Sequence, residues 1–291
     1  VENGMNIQWY PGHMTKTRRM IQAQLGSMDA VCEILDARIP RSSQNPDIQE
    51  LTREKPKLVV LSRVDLADPE GTRRWGAYFR ARGFGVLEVN AKAGQGTGRF
   101  PAAVRELLSE KLAAYAAKGQ AGRTIRVMVL GIPNVGKSTF INRVSGRKTA
   151  KAEDRPGVTR SKQWIPVDRT LELLDTPGML WPKFDDPQAG LHLACTGAVK
   201  DEVLDQEELS CHLLELLARQ YPAALQDRYK VSCGPGDTGY ALLEQAGRRR
   251  GFLVRGGEVD TGRMARILLD EFRSGKLGRF TLELPEEECD G

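Results

Sequence analysis

The 291-residue chain predicts an α/β fold: a mostly parallel sheet flanked by helices, with a smaller helical part behind it. Three observations predict it. Apolar, β-branched runs alternate with amphipathic stretches as far as Leu174. A glycine-rich loop, G-I-P-N-V-G-K-S-T from Gly131 to Thr139, separates one such run from a helical pattern. Past Trp181-Pro182 no strand-like run of comparable length recurs, which puts the expected domain boundary between residues 182 and 183.

In chain order, N-I-Q-W-Y-P-G-H-M leads through a Pro-Gly turn into a basic amphipathic helix ending near Leu25. Trp9 and Tyr10 suit either a core anchor or a stacking platform for RNA bases. Ala30 to Asp36 reads as a buried strand, followed by the turn A-R-I-P-R-S-S-Q-N-P and a helix over residues 47–53. Strands follow over residues 57–62 and 85–90, with a helix from P-E-G-T-R-R-W between them. One long helix is expected over residues 100–118. Thr124 to Leu130 is the strand before the glycine-rich loop, and T-F-I-N-R-V continues as a helix after it. Lys151 to Gln163 is polar and aperiodic, then two strands cover residues 163–167 and 170–174. Helices over residues 206–219, 240–250 and 261–273 build the C-terminal part, and the acidic E-E-E-C-D-G end is expected to be disordered.

Composition narrows the function classes. With 40% hydrophobic and 28% charged residues the chain has the make-up of a globular protein, and no apolar run reaches the roughly 20 residues of a membrane span. The opening residues lack an apolar signal core, and five widely spaced cysteines with no C-x-x-C pair argue against a disulfide framework or a zinc site. A reducing cytoplasm is the expected setting. The net charge of +5 is matched by the segment from Arg248 to Arg279 alone, where nine Lys/Arg face four Asp/Glu. That excess suits either nucleic acid or a solvated helical face.

The loop carries the chemistry. Gly131, four residues, then Gly136-Lys137-Ser138 is the Walker A spacing, in which the backbone of Asn134, Val135 and Gly136, and on to Thr139, curls so that N–H groups converge on phosphate. Lys137 would neutralise the β- and γ-phosphates and Ser138 would hold Mg²⁺. Downstream, the strand ending in D-T-P-G fits Walker B: Asp175 bears on Mg²⁺ and the Gly178 N–H meets the γ-phosphate. Thr159 in the polar loop could complete the Mg²⁺ shell. Upstream, Asp65 of S-R-V-D could accept both N–H donors on the guanine edge, although an Asp after a strand is also a common helix N-cap. N–H groups around Asn90 and Ala91 could close over a base.

In translation-factor GTPases these motifs begin with Walker A; here S-R-V-D and N-A-K precede it. Together with Y-P-G-H-M, D-A-R-I-P-x-S-S-x-N-P, R-P-G-V-T and G-K-L-G-R, this order resembles the circularly permuted ribosome-biogenesis GTPases of the YlqF/RbgA type. The resemblance implies a permuted P-loop GTPase fold that binds GTP/GDP and Mg²⁺, and hydrolyses GTP slowly until stimulated. It also implies a monomer whose partners are a late precursor of the large (50S) ribosomal subunit and its rRNA, with no membrane. Ser62-Arg63 stands where that family has Asn-Lys, which leaves base selectivity to Asp65 and stacking to the Arg63 guanidinium. Met179 replaces the water-orienting Gln of other GTPases. His13 of the Y-P-G-H-M motif could order a water, and Asn134 resembles the Asn that helps bind K⁺ in related GTPases, its alternative being loop stabilisation. Two rival readings are a stand-alone P-loop hydrolase and an RNA-binding scaffold that uses nucleotide only for stability.

Overall fold

The structure, a computed structural model, describes residues 14–146, 163–180 and 186–286. Six strands form one sheet: β1 (Ala30–Asp36), β2 (Lys57–Ser62), β3 (Gly85–Val89), β4 (Ile125–Gly131), β5 (Gln163–Asp168) and β6 (Leu171–Asp175). Their spatial order is β3-β2-β1-β4-β6-β5, parallel throughout except for the antiparallel β5–β6 pair. β1 and β2 are buried at every position, the reason their sequences are continuous apolar runs instead of alternating ones.

The helices around the sheet are α1 (Met14–Leu25), α2 (Pro46–Leu51), α3 (Pro69–Ala81), α4 (Phe100–Leu107), α5 (Ser109–Ala117) and α6 (Lys137–Ser145). Asn45-Pro46 and Asp68-Pro69 show how the sequence starts them. The side-chain oxygen caps an early N–H while the proline, which has none to satisfy, occupies the first turn. The single helix expected over residues 100–118 is two. Phe100 and Val104 are buried on α4, no residue of α5 is fully buried, and the chain breaks at buried Leu108 (φ −102°, ψ 14°), past which only Leu112 of α5 packs against the core, half-buried.

The remaining helices are α7 (Pro187–Cys195), α8 (Gln206–Gln220), α9 (Pro222–Tyr229), α10 (Gly239–Arg249) and α11 (Thr261–Ser274). α8 is the hub: Leu209, Leu213 and Leu217, at helical spacing, meet Leu242 and Leu243 of α10 and Met264, Leu268 and Phe272 of α11 in one core. After α11 the chain turns back to the sheet. The Leu282 N–H donates to the Arg38 carbonyl (2.8 Å) and Trp75 Nε1 to the Glu283 carbonyl (2.8 Å). Ser42 Oγ, His192 Nδ1 and a Glu283 carboxylate oxygen converge at 2.5–3.0 Å, tying the turn after β1 to α7 and to this returning segment.

Some of the arginines of this helical part are engaged internally. Arg250 and Arg228 both pair with Glu271, to which Tyr229 also donates (2.8 Å). Hydrogen bonds from Arg228, then from Tyr229, and the charges of Arg250 and Arg228 outweigh burial and hold the Glu271 carboxyl at about 2, below its ordinary 4.5. Its folded pKa is depressed, so the stabilisation is complete above about pH 4.5 and is lost as pH falls toward 2. Glu271→Gln should cost about 2 kcal/mol in urea unfolding at pH 7. The gap from wild type should shrink steadily below pH 4.5; a pH-independent gap would show that the charge is not what stabilises.

Candidate nucleotide site

β4 ends at Gly131 and the chain turns sharply before α6. The turn needs left-handed backbone at Asn134 (φ 58°) and Gly136 (φ 98°), which glycine adopts without strain and asparagine at little cost. Gly136 is the N-cap of α6 and no side chain caps its first N–H groups, an arrangement suited to an anion. Lys137 opens the helix with its side chain buried, its Nζ in a salt bridge with Asp175 at the end of β6. Ser138 and Thr139 follow, half-buried. The two motifs are laid backbone to backbone: a Cβ on Gly178 would lie 3.0 Å from the Pro133 nitrogen and would press the two backbones apart. The Met179 N–H donates to the Gly131 carbonyl (3.2 Å), and the Thr176 hydroxyl to the Val129 carbonyl (2.8 Å). Met179 itself is buried in the core, so its thioether occupies packing space where other GTPases project an amide.

The second half of the site stands at the ends of β2 and β3. Ser62 is buried and its Oγ lies 3.0 Å from the Leu35 carbonyl and 2.7 Å from the Val135 carbonyl. Its hydroxyl thus joins β1, β2 and the glycine-rich loop. Arg63, in left-handed backbone, donates through a guanidinium nitrogen to the Asn134 carbonyl at 2.5 Å. Asp65 is exposed at the top of the following turn, which is tied to β3 by the Val64 N–H on the Val89 carbonyl (3.3 Å). Beside it, residues 90–95 close into a ring: Asn90 and Gln95 exchange backbone hydrogen bonds, and Asn90 Oδ1 accepts from the Ala93 N–H (3.1 Å). Arg143 of α6 donates to the Ala91 and Lys92 carbonyls, so the helix that follows the glycine-rich loop also holds this ring. Asn134, Gly136, Lys137, Ser138 and Asp175 therefore meet at one edge of the sheet with Ser62, Arg63, Asp65, Asn90 and Ala91. His13 and Thr159, and with them Trp9, Tyr10, most of the 151–163 loop and the end of the acidic tail, lie outside the described residues.

Sequence reasoning passed over a third group. Asp36, at the end of β1, pairs with fully buried Arg38 through two hydrogen bonds (2.9 and 2.7 Å) and stands 4.0 Å from Arg63. Burial pushes its carboxyl up, but the Arg38 charge and hydrogen bonds, aided by Arg63, prevail and hold it below its ordinary value. Arg38 also lies over the Phe272 ring of α11 (5.5 Å). Asn45, besides capping α2, donates to the Met179 carbonyl (3.0 Å). The signal was present in D-A-R-I-P-R-S-S-Q-N-P, whose polar residues are too many for an ordinary turn. On the opposite side, Asn134 Nδ2 donates to the Gly197 carbonyl just past α7 (2.7 Å). A cleft of about 950 Å³ opens there, with Arg63, Lys92 and Asn134 on one wall and Lys200, Arg273 and Lys276 on the other.

The donor set fits a nucleoside polyphosphate: an N-terminal helix end and a lysine for phosphate, oxygen donors from Ser138 and Asp175 for a hard cation, and an exposed carboxylate beside a closed ring for a base edge. Comparison with known proteins agrees. A family profile described as "50S ribosome-binding GTPase" matches residues 126–227. Ribosome biogenesis GTPase A of Bacillus cereus is 46% identical over 283 residues, covering 97% of this chain and 95% of that protein. The protein of the same name from Priestia megaterium is 47% identical, covering 97% and 98%. Among solved structures, GNP-bound YlqF from T. maritima superposes with a TM-score of 0.66 at 25% identity, covering 94% of this chain and 99% of that one. With that identity sustained over nearly the whole length, and the permuted motif order folded into one site, the chain belongs to the ribosome biogenesis GTPase A family.

Proposed function

We propose that this chain is a GTP-hydrolysing switch in ribosome biogenesis, binding a late large-subunit precursor in its GTP form and leaving it on hydrolysis. The observation that carries the reading is that Ser62 and Arg63 tie the end of β2 to the phosphate loop while Arg143, on the helix after that loop, holds the base-side ring. Guanine nucleotide binding goes with the family. The residue roles are our assignment. Lys137 and the N–H groups of Asn134 to Thr139 hold the phosphates, Gly178 meets the γ-phosphate, Asp65 reads guanine, and Arg63, Asn90 and Ala91 flank the base. Ser138 and Asp175, with Thr159, are the oxygen donors for Mg²⁺, which would supply charge neutralisation at the phosphates. Asn134 is assigned to K⁺ through the amide oxygen, its nitrogen being engaged with Gly197. His13 is assigned to the attacking water, a role that Met179, packed into the core, does not fill.

Residues 1–182 then form the nucleotide-binding part and 183–291 the part that meets rRNA. Arg249, Arg255, Arg266 and Lys276 are exposed and suit phosphate contacts, whereas Arg250 and Arg273 are committed to Glu271 and Asp201. Among the described residues no helix is long and apolar enough to cross a membrane; the cytoplasmic setting and monomeric state belong to the proposal. The test is steady-state hydrolysis of GTP, with ATP as control, in K⁺ buffer with and without purified large ribosomal subunits. Slow GTP turnover that rises at least about tenfold with the subunit, with ATP inert, is expected. Turnover indifferent to the subunit would reject the ribosomal switch.

A further inference from the structure

The turn that carries Asp65 is not held by the sheet alone. Its carbonyls face the segment that follows α11, G-K-L-G-R-F from Gly275 to Phe280. Arg279 Nε donates to the Ala67 carbonyl (2.9 Å) and another guanidinium nitrogen to the Val64 carbonyl (2.7 Å), spanning the turn from both ends. The Phe280 N–H donates to the Leu66 carbonyl between them (3.0 Å). The turn's own bonds are few: Leu66 N–H to the Arg63 carbonyl (2.9 Å) and the longer Val64 contact to β3. The segment that grips it is firmly seated. Phe280 is buried, stacked on Phe272 (centroids 5.9 Å apart) and edge-on to Tyr221 (5.1 Å), and the next residue's N–H donates to the Tyr221 hydroxyl (3.1 Å).

From this geometry we infer that Arg279 is a specificity-determining positioning residue, which sets Asp65 for guanine without touching the nucleotide. The inference rests on reading Asp65 as the carboxylate that accepts from the guanine edge. A planar guanidinium with two parallel donors fixes the spacing between two carbonyls, and hence the turn between them, as a single ammonium cannot. A carboxylate accepting two N–H groups at once must be held to a few tenths of an ångström, whereas one hydrogen bond tolerates a looser turn. Loss of Arg279 therefore weakens the contact to the guanine 2-amino group first. Phosphate binding, made on the far side of Ser62, is left in place.

The test compares equilibrium affinities for GDP and IDP, inosine lacking that 2-amino group, in full-length wild type, Arg279→Ala, Arg279→Lys and Asp65→Asn. Wild type should prefer GDP. Arg279→Ala should lower that preference at least about threefold with a small change in IDP affinity, and Arg279→Lys, with one donor nitrogen in place of two, should fall between. In the Asp65→Asn background Arg279→Ala should leave the ratio unmoved. A general loosening would lower the melting temperature and both affinities together, and an unchanged GDP-to-IDP ratio in Arg279→Ala overturns the inference. Should that variant not fold, an unaltered ratio in Arg279→Lys overturns it equally. A wild type indifferent to the 2-amino group would instead remove Asp65 as the guanine reader, and the arginine's role with it.

Discussion

Lys137→Ala should cut GTP hydrolysis by at least about a thousandfold and also destabilise the nucleotide-free chain by about 3 kcal/mol. The two effects have different origins. In the role proposed for it Lys137 is the cation of the phosphate loop, and its loss removes charge stabilisation where the transferring group becomes most negative. Its ammonium is also buried against Asp175, so the substitution strands a carboxylate away from water. Lys137→Ala/Asp175→Ala should recover much of the stability, since no uncompensated charge remains, and none of the activity. Single-turnover hydrolysis and urea unfolding of the three variants separate the effects. Near-normal hydrolysis in Lys137→Ala would dismiss the loop as the phosphate site.

Asp65→Asn should weaken GDP binding about a hundredfold and turn preference toward xanthosine diphosphate. The carboxylate offers two acceptors to the N1–H and 2-amino donors of guanine; an amide offers one acceptor and one donor, which suits xanthine, whose position 2 carries an oxygen. Asp65 is exposed at the tip of its turn, so the exchange should leave the melting temperature within about a degree of wild type. Displacement of a fluorescent diphosphate by GDP, XDP and ADP measures it. Equal loss toward all three would mean that the residue supports the turn and does not read the base.

The strands were legible because both faces of β1 and β2 are buried, which writes them as unbroken apolar runs, and because the phosphate loop needs glycine and lysine at fixed spacing. α7 and α9 were not. Each is a helix of about two turns with no long periodic pattern, announced only by Asp186-Pro187 and by Pro222. The break at Leu108 was hidden because alanines carry the helical pattern past the point where burial ends. Within the site, the short-range motifs stood out in the sequence, and those among the described residues lie together in the fold. The contacts that position them could not: Arg143 to the 90–95 ring, Asn134 to Gly197 and Arg279 to the Asp65 turn join residues far apart in the chain, and no local pattern announces such partners. The polar residues of D-A-R-I-P-R-S-S-Q-N-P show the same limit, being conspicuous in the sequence but interpretable only against Phe272, His192 and Glu283.

The hydrogen bonds from Arg279 and Phe280 onto Val64, Leu66 and Ala67 have a consequence for the order in which the molecule is made. Strands β1 to β3 and the turn bearing Asp65 are synthesised first, and the phosphate loop after them; the groups that satisfy that turn's carbonyls follow later still, after α11. Until then those carbonyls can bond only to water, and the face of α3 that receives Thr281 and Glu283 stays uncovered. The glycine-rich loop is thus complete in the growing chain before the Asp65 turn is braced. On the proposed reading, selectivity for guanine is the later of the two abilities to be acquired, because it waits for a segment made after the phosphate loop.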